Sequence, residues 1–209
     1  MDIVGKMGAA KIIPVIVVDE LEKAVPLATA LVRGGLPVLE VTFRTACAAE
    51  AIAKIKAEVP GATLMAGTVL MREQLEAAKK AGAEACVAPG FNPEIVKAAK
   101  EIGMPFVPGV STASELSQAL ALGCGLVKFF PAESAGGAKF IRDLLGAFRW
   151  TGVKFMPTGG VNLDNVSGYL SIPEVVCCGG TWVAPKDAIG RGDWAAVESL
   201  AADAVRRVG

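Results

Sequence analysis

The chain has 209 residues, of which 53% are hydrophobic, and its 21 basic side chains are balanced by 21 acidic ones. A net charge of zero argues against a nucleic-acid partner, and the sequence holds neither a basic amphipathic helix nor the roughly 20-residue apolar run that crosses a membrane. The length suits a single domain, 1–209, with a short N-terminal segment, and since no secretion-signal pattern is visible we expect a cytoplasmic protein.

Short apolar runs recur along the chain at intervals of about 20 to 30 residues and predict eight strands. They are rich in Val, Ile, Phe and small residues, which is typical of parallel strands buried on both faces. The predicted strands are Ile12–Val18, Val38–Phe43, Thr63–Thr68, Ala85–Pro89, Phe106–Val110, Leu126–Pro131, Lys154–Thr158 and Val175–Gly179.

Amphipathic stretches between these strands begin with capping residues and end at glycines, which predicts helices. The predicted helices are Asp19–Arg33, Glu73–Lys80, Pro93–Ile102, Thr112–Leu122, a very short one around Asn165–Leu170, and Asp193–Val208. Pro26 lies inside the first and is expected to kink it.

Eight strand–helix units in this length predict an α/β fold, a small (β/α)8 TIM barrel. The alternative is an open doubly wound sheet, but no G-x-G-x-x-G follows the first strand. Active sites of such barrels lie at the C-terminal ends of the strands, so polar residues there are candidates for function.

Lys128 lies inside the apolar run that predicts the sixth strand. An isolated buried ammonium is very unfavourable, so this side chain must either be paired or give up its proton. A neutral amine there would be a nucleophile toward a carbonyl. A buried salt bridge to a carboxylate is the structural alternative, and the lysine alone does not decide between them.

Glu40, Thr42 and Arg44 share one face of the second strand, because side chains alternate along a strand. The opposite, apolar face should meet the helices, which directs these three residues into the mouth of the barrel. A plain Glu40–Arg44 ion pair is the alternative. We favour Glu40 as the general acid/base for an imine on Lys128.

Thr68 and Thr158 each place a hydroxyl at the C-terminal end of a strand, where helix caps are also common. Glycine pairs follow the last two strands, at the place where barrels often bind phosphate through backbone N–H groups. These pairs are Gly159-Gly160 and Gly179-Gly180. Ser134 lies in the loop after the lysine strand, and no role is assigned to it.

The sequence contains no histidine, which excludes Ser-His and Cys-His nucleophile pairs and imidazole metal sites. Its five cysteines include no C-x-x-C pair. We therefore expect neither a metal site nor a disulfide framework, and interpret the cysteines as small buried hydrophobic residues. Cys177 and Cys178 are adjacent in a predicted strand and should point to opposite faces.

Together the motifs resemble the 2-keto-3-deoxy-6-phosphogluconate (KDPG) and 4-hydroxy-2-oxoglutarate (KHG) aldolase family, in family order and over nearly the whole chain. The motifs are Glu40-Val41-Thr42-Phe43-Arg44-Thr45, Gly67-Thr68-Val69-Leu70, Pro89-Gly90, Lys128-Phe129-Phe130-Pro131-Ala132-Glu133, Pro157-Thr158-Gly159-Gly160-Val161 and Gly179-Gly180-Thr181-Trp182. The resemblance implies a class I aldolase on a (β/α)8 barrel, a homotrimer that needs no metal or other cofactor.

The resemblance also implies a role for each candidate residue. Lys128 forms a Schiff base with the substrate ketone, and Glu40 transfers protons. Arg44 and Thr68 hold the pyruvate carboxylate, and Thr158 influences which face of the aldehyde reacts. Phosphate contacts are implied for Gly159, Gly160, Gly179, Gly180 and Thr181. Thr181 departs from the family, in which serine is common at this position, and its methyl group could alter the phosphate contacts.

The expected reaction cleaves a keto-acid phosphate, KDPG, into pyruvate and glyceraldehyde 3-phosphate. The galactonate-derived epimer and 4-hydroxy-2-oxoglutarate stay open as substrates. Two further hypotheses are a sugar-phosphate isomerase or synthase, which leaves Lys128 without an imine to form, and a non-catalytic sugar-phosphate binding barrel. The latter would not need both Lys128 and Glu40.

Overall fold

The computed structural model describes residues 2–209, and strands and helices alternate along them. The strands are β1 (Ile12–Ile16), β2 (Val38–Thr42), β3 (Thr63–Gly67), β4 (Ala85–Val87), β5 (Phe106–Val107), β6 (Gly109–Val110), β7 (Leu126–Phe129), β8 (Lys154–Pro157) and β9 (Cys178–Gly180). The helices are α1 (Ile3–Ala10), α2 (Ala24–Arg33), α3 (Ala48–Glu58), α4 (Arg72–Ala81), α5 (Pro93–Glu101), α6 (Ala113–Ala121), α7 (Gly137–Phe148), α8 (Val166–Leu170), α9 (Lys186–Arg191) and α10 (Trp194–Val208).

All strand pairs are parallel, which makes this an α/β fold as predicted. One sheet has six strands in the order β5-β4-β3-β2-β1-β9, and a second has the order β6-β7-β8. Only Pro108 separates β5 from β6. Isolated parallel bridges, Phe155 with Val175 and Thr158 with Gly179, link β8 to the segment that contains β9.

The strands are buried on both faces and contribute to two hydrophobic clusters. Residues such as Ile12 and Leu39 pack outward against the helices. Their alternates Ile13 and Val38 pack inward in a smaller cluster, which the fully buried Met7 of α1 joins. Alternation along the strands thus makes their inward-facing surface apolar at the N-terminal end, so that polar side chains collect at the opposite end.

Helix α1 occupies the segment that was expected only as a short N-terminal stretch. The Asp2 side chain caps its first turn by accepting from the Gly5 N–H at 2.8 Å. Gly5 and Gly8 favour a loop by propensity, but burial of Met7 overrides them, since tertiary packing supplies most helix stability. Helices α3, α7 and α9 likewise lie where none had been specified.

Several predicted strands end one or two residues too late, and the predicted strand Phe106–Val110 is divided at Pro108. Two predicted elements begin at least three residues too early. The helix expected from Asp19 begins at Ala24, after a 3₁₀ turn, so Pro26 lies in the first helical turn and not in the helix interior. There its missing N–H breaks no intrahelical bond. The last strand begins at Cys178 and not at Val175, because the Val175 N–H is held at 2.9 Å by the Ile172 carbonyl in a turn.

Candidate active site

Lys128 and Glu40 meet in the interior although 88 residues separate them in the sequence. The Lys128 Nζ lies 2.9 Å from Glu40 Oε1 and 3.3 Å from Oε2. Lys128 is 4% exposed and Glu40 is fully buried. Each charge compensates the other, which explains how both can be buried. The structure therefore contains the buried ion pair that stood as the alternative to a functional lysine, and the surroundings decide what it does.

The pair opens into a cavity of about 250 Å³ at the C-terminal ends of the strands. Its lining brings together nearly all the predicted site residues, contributed by loops and strands from β1 to β9. The lining residues are Val15, Glu40, Thr42, Arg44, Thr68, Pro89, Lys128, Phe130, Thr158, Gly159, Gly160, Val161, Gly180 and Thr181. A salt bridge that only stabilised the core would not need to border a cavity that is also lined by an arginine and four threonines.

Gly67 leaves the space that the Glu40 side chain occupies, because it has no side chain of its own. These residues lie on neighbouring strands, and a Cβ built on Gly67 would come within 2.3 Å of Glu40 Oε1. Any side chain at position 67 would therefore displace the carboxylate from Lys128. The sequence interpretation gave Gly67 no role of its own, although a glycine inside a strand is itself a sign of close approach.

Arg44 lines the cavity, but it follows the strand instead of belonging to it, because β2 ends at Thr42. Its Nε donates to Thr42 Oγ1 at 3.2 Å, and the Thr42 hydroxyl donates to the Ile16 carbonyl at 3.0 Å. The alternative ion pair between Arg44 and Glu40 does not form, since Glu40 faces Lys128. Thr68, the second predicted carboxylate ligand, has φ 56°, an uncommon conformation for a β-branched residue.

Thr158 lines the same cavity as Arg44, together with Gly159, Gly160 and Gly180. Within residues 2–209 the buried Thr158 hydroxyl has no hydrogen-bond partner. Gly159 and Gly160 have φ values of 97° and 81°, which favour glycine. Gly179 stands apart: it is absent from the lining, and a Cβ there would lie 2.4 Å from Thr158 Oγ1. Its predicted phosphate contact stays a prediction.

Two residues that the sequence interpretation did not select support the Gly159-Gly160 turn. A Cβ on Gly160 would lie 2.6 Å from Glu133 Cγ, so the Glu133 side chain packs directly against the turn. The Tyr169 hydroxyl donates to Glu133 Oε1. Burial, followed by the hydrogen bond and charge of Glu133, raises the pKa of Tyr169. Nothing in the local sequence brings residues 133, 160 and 169 together, because their contact is tertiary.

The five cysteines are free, and four of them are buried as expected, while Cys47 is half-buried. Cys177 joins the inner cluster and Cys178 the outer one, which confirms that they face opposite sides. Burial raises the pKa of the Cys177 thiol well above its usual value.

Residues 2–209 offer no candidate metal site and no candidate membrane-spanning helix. No group of three or more His, Cys, Asp or Glu residues is placed to hold a metal ion. None of the helices combines the length and the apolar character that a membrane span requires.

Known proteins similar to this chain match it over nearly its whole length. A family model described as "KDPG and KHG aldolase" matches residues 3–200. The chain is 47% identical over 194 residues to the KHG/KDPG aldolase of Escherichia coli K12, which covers 93% of this chain and 90% of that protein. It is 45% identical over 199 residues to the 2-dehydro-3-deoxy-phosphogluconate aldolase of Treponema pallidum, which covers 95% and 94%.

A similar solved structure is that of the KDPG aldolase of Legionella pneumophila, with pyruvate captured as a covalent carbinolamine intermediate. The two folds superpose with a TM-score of 0.92 and 40% sequence identity, over 96% of this chain and 97% of that one.

Proposed function

The chain belongs to the KDPG and KHG aldolase family, and on that basis we propose that it is a class I aldolase that cleaves KDPG into pyruvate and glyceraldehyde 3-phosphate. One observation carries the proposal. A lysine amine and a carboxylate, both buried, lie 2.9 Å apart beside a cavity that Arg44 and four threonines also line. The captured pyruvate adduct of the Legionella enzyme supports imine chemistry for this chain as well.

Lys128 is the nucleophile in this proposal. Glu40 takes the proton from its ammonium, and the free amine adds to the C2 ketone to give a carbinolamine. Glu40 then returns this proton to the carbinolamine hydroxyl, which leaves as water, so that a protonated imine forms and Glu40 is again a carboxylate. Because this imine withdraws electrons, the C3–C4 bond breaks as the C4 hydroxyl gives its proton to Glu40, directly or through water. Glyceraldehyde 3-phosphate leaves, Glu40 returns a proton to C3 of the enamine, and hydrolysis releases pyruvate.

The remaining site residues bind the substrate at its two ends. Arg44 presents a planar fork to the carboxylate, and Thr68 assists it. Thr158, whose buried hydroxyl has no partner within residues 2–209, influences which face of the aldehyde reacts. At the other end of the cavity the backbone N–H groups of the glycine pairs bind the phosphate, together with the Thr181 hydroxyl. The members of this group are Gly159, Gly160, Gly179, Gly180 and Thr181.

A coupled assay that detects pyruvate tests the proposal and its substrate. KDPG, its galactonate-derived epimer and 4-hydroxy-2-oxoglutarate should be compared at equal concentrations. We expect the highest kcat/KM with KDPG. Pyruvate release from none of the three would overturn the aldolase and leave the isomerase or the non-catalytic binding protein, for which the Lys128–Glu40 pair has no purpose.

We also propose that residues 1–209 form a single domain in which the two sheets close into one (β/α)8 barrel. The single-residue gap at Pro108 and the two bridges beside β8 support closure, since they join the sheets at both edges. By family resemblance we propose a cytoplasmic homotrimer that needs no metal or other cofactor. A monomer mass from light scattering would refute the trimer.

A further inference from the structure

Thr42, the last residue of β2, lies in the cavity between Glu40 and Arg44 and is 1% exposed. Its hydroxyl makes two contacts. It donates to the Ile16 carbonyl of β1 at 3.0 Å and accepts from Arg44 Nε at 3.2 Å. A hydroxyl held by a strand carbonyl on one side has a fixed orientation, so its lone pair is directed at the arginine.

The donor side of this hydroxyl is already used. A threonine hydroxyl has a single proton, and here the Ile16 carbonyl takes it. A substrate carboxylate needs donors, and the remaining lone pairs of Thr42 would repel it. Any influence of Thr42 on an anionic substrate must therefore pass through Arg44.

Arg44 depends on this contact because its own surroundings do little to hold it. It is exposed, and within residues 2–209 no acidic side chain forms an ion pair with it. A long exposed arginine samples many rotamers, and binding a ligand then costs the entropy of ordering it. With Nε on Thr42, the two terminal nitrogens stay free, and their parallel N–H groups match a carboxylate end-on.

We propose that Thr42 is a positioning residue that orients Arg44 for the carboxylate of the keto acid. The inference rests on the proposed function, in which Arg44 binds that carboxylate. It predicts that the Thr42 hydroxyl strengthens binding of pyruvate without taking part in the bond-breaking step.

The test reduces the pyruvate imine on the protein with borohydride at a series of pyruvate concentrations. The measured quantity is the pyruvate concentration at which half of the protein carries the reduced adduct. Thr42→Val keeps the shape and removes the hydroxyl, while Thr42→Ser keeps the hydroxyl. We expect about a tenfold higher half-saturating concentration for Thr42→Val, the effect of roughly one charge-assisted hydrogen bond. Thr42→Ser should stay within about twofold of the unsubstituted protein. In both variants kcat for cleavage should change less than KM, and circular dichroism establishes that each is folded.

A double-mutant cycle with Arg44→Met separates positioning from general damage. If Thr42 acts through Arg44, then Thr42→Val adds no further shift once Arg44 is replaced. An equal shift in both backgrounds overturns the inference, as does unchanged half-saturation in Thr42→Val. Should Thr42→Val not fold, Thr42→Ala takes its place in the same cycle. Absence of any adduct in the unsubstituted protein overturns the proposed function and this inference with it.

Discussion

Lys128 and Glu40 lie on strands β7 and β2, and each makes burial of the other tolerable. Their charges attract in surroundings where water screens little, and the lysine also lies 5.6 Å from the centre of the Phe130 ring. Such a pair contributes little net stability, since desolvation offsets the attraction, but removing one partner leaves the other charge uncompensated.

Glu40→Gln tests the contribution of this pair both to stability and to catalysis. We expect the free energy of unfolding to fall by about 3–5 kcal/mol, because an unpaired charge is left in the interior. Turnover of KDPG should fall by about 10²–10⁴-fold through loss of the proton-transfer group. Chemical denaturation and the pyruvate assay measure the two effects.

Glu84→Gln is the matched control, because Glu84 is paired with Lys6 and Lys56 but its side chain is 29% exposed. Its replacement should change the unfolding free energy by no more than about 1 kcal/mol and leave turnover intact. Equal effects of the two substitutions on turnover would argue against a role for Glu40 in proton transfer.

Tyr169, the single tyrosine of the chain, offers a direct pH measurement. Burial and then Glu133 raise its pKa, so the folded state favours the neutral phenol. A raised pKa contributes stability that is present below the unfolded value, about 10, and lost as pH rises above it. We expect alkaline absorbance titration of the native protein to show ionisation only above that value. In Glu133→Gln the rise in the Tyr169 pKa should become smaller but persist, because burial is its first cause. Ionisation of Tyr169 at about pH 10 in the unsubstituted native protein would contradict the buried contact.

The two residues that were most predictable are polar residues in places where the sequence pattern alone expects apolar ones. Lys128 and Glu40 stood out in apolar strands, and both line the cavity. Gly67 and Glu133 were missed because their importance lies in contacts with Glu40 and Gly160 that no local pattern encodes. The Thr42–Arg44 hydrogen bond was hidden for another reason, since strand alternation placed Arg44 on β2 and the structure places it beyond its end.

At the scale of elements, the strand positions were predictable and several helices were not. For β1, β2, β3, β7 and β8 the predicted first residue is the observed one. The predicted last residue lies one or two positions beyond the observed end. Helix α1 was missed because two glycines lower its propensity while burial of Met7 stabilises it from outside the segment. The start of α2 was misplaced because Pro26 is equally compatible with a kink and with a first turn.

The turn after β8 leaves no room for a side chain at Gly160, and Gly160→Ala tests its role. The new Cβ would meet Glu133, and alanine at φ 81° is strained by about 1–2 kcal/mol. We expect KM for KDPG to rise more than KM for 4-hydroxy-2-oxoglutarate, since only the former carries a phosphate. Steady-state kinetics with both substrates measures the ratio.

Gly146→Ala is the control for that change. Gly146 lies inside α7, and a Cβ there would meet nothing within 4 Å. Stability should rise by about 0.5–1 kcal/mol with kinetics unchanged. If Gly160→Ala leaves the ratio of the two KM values as it was, the turn does not bind phosphate.

At the scale of the whole molecule, the inner apolar cluster and the cavity lie at opposite ends of the strands. The inner cluster with Met7 fills the N-terminal end, and the cavity occupies the C-terminal end. Loops from strands far apart in sequence can therefore supply reacting groups without disturbing the core, as expected where active sites are built on strand ends. The rule predicted the position of the cavity from sequence because it depends on the order of elements and not on their exact boundaries.

The most direct test of the account is borohydride reduction of the protein in the presence of pyruvate, followed by peptide mass spectrometry. We expect a pyruvate-derived adduct on the peptide that carries Lys128. It should be absent in Lys128→Met and retained in Lys154→Met, which alters a lysine at the start of neighbouring β8. An intact, folded protein without an adduct, or with one on another lysine, would contradict Lys128 as the Schiff-base nucleophile.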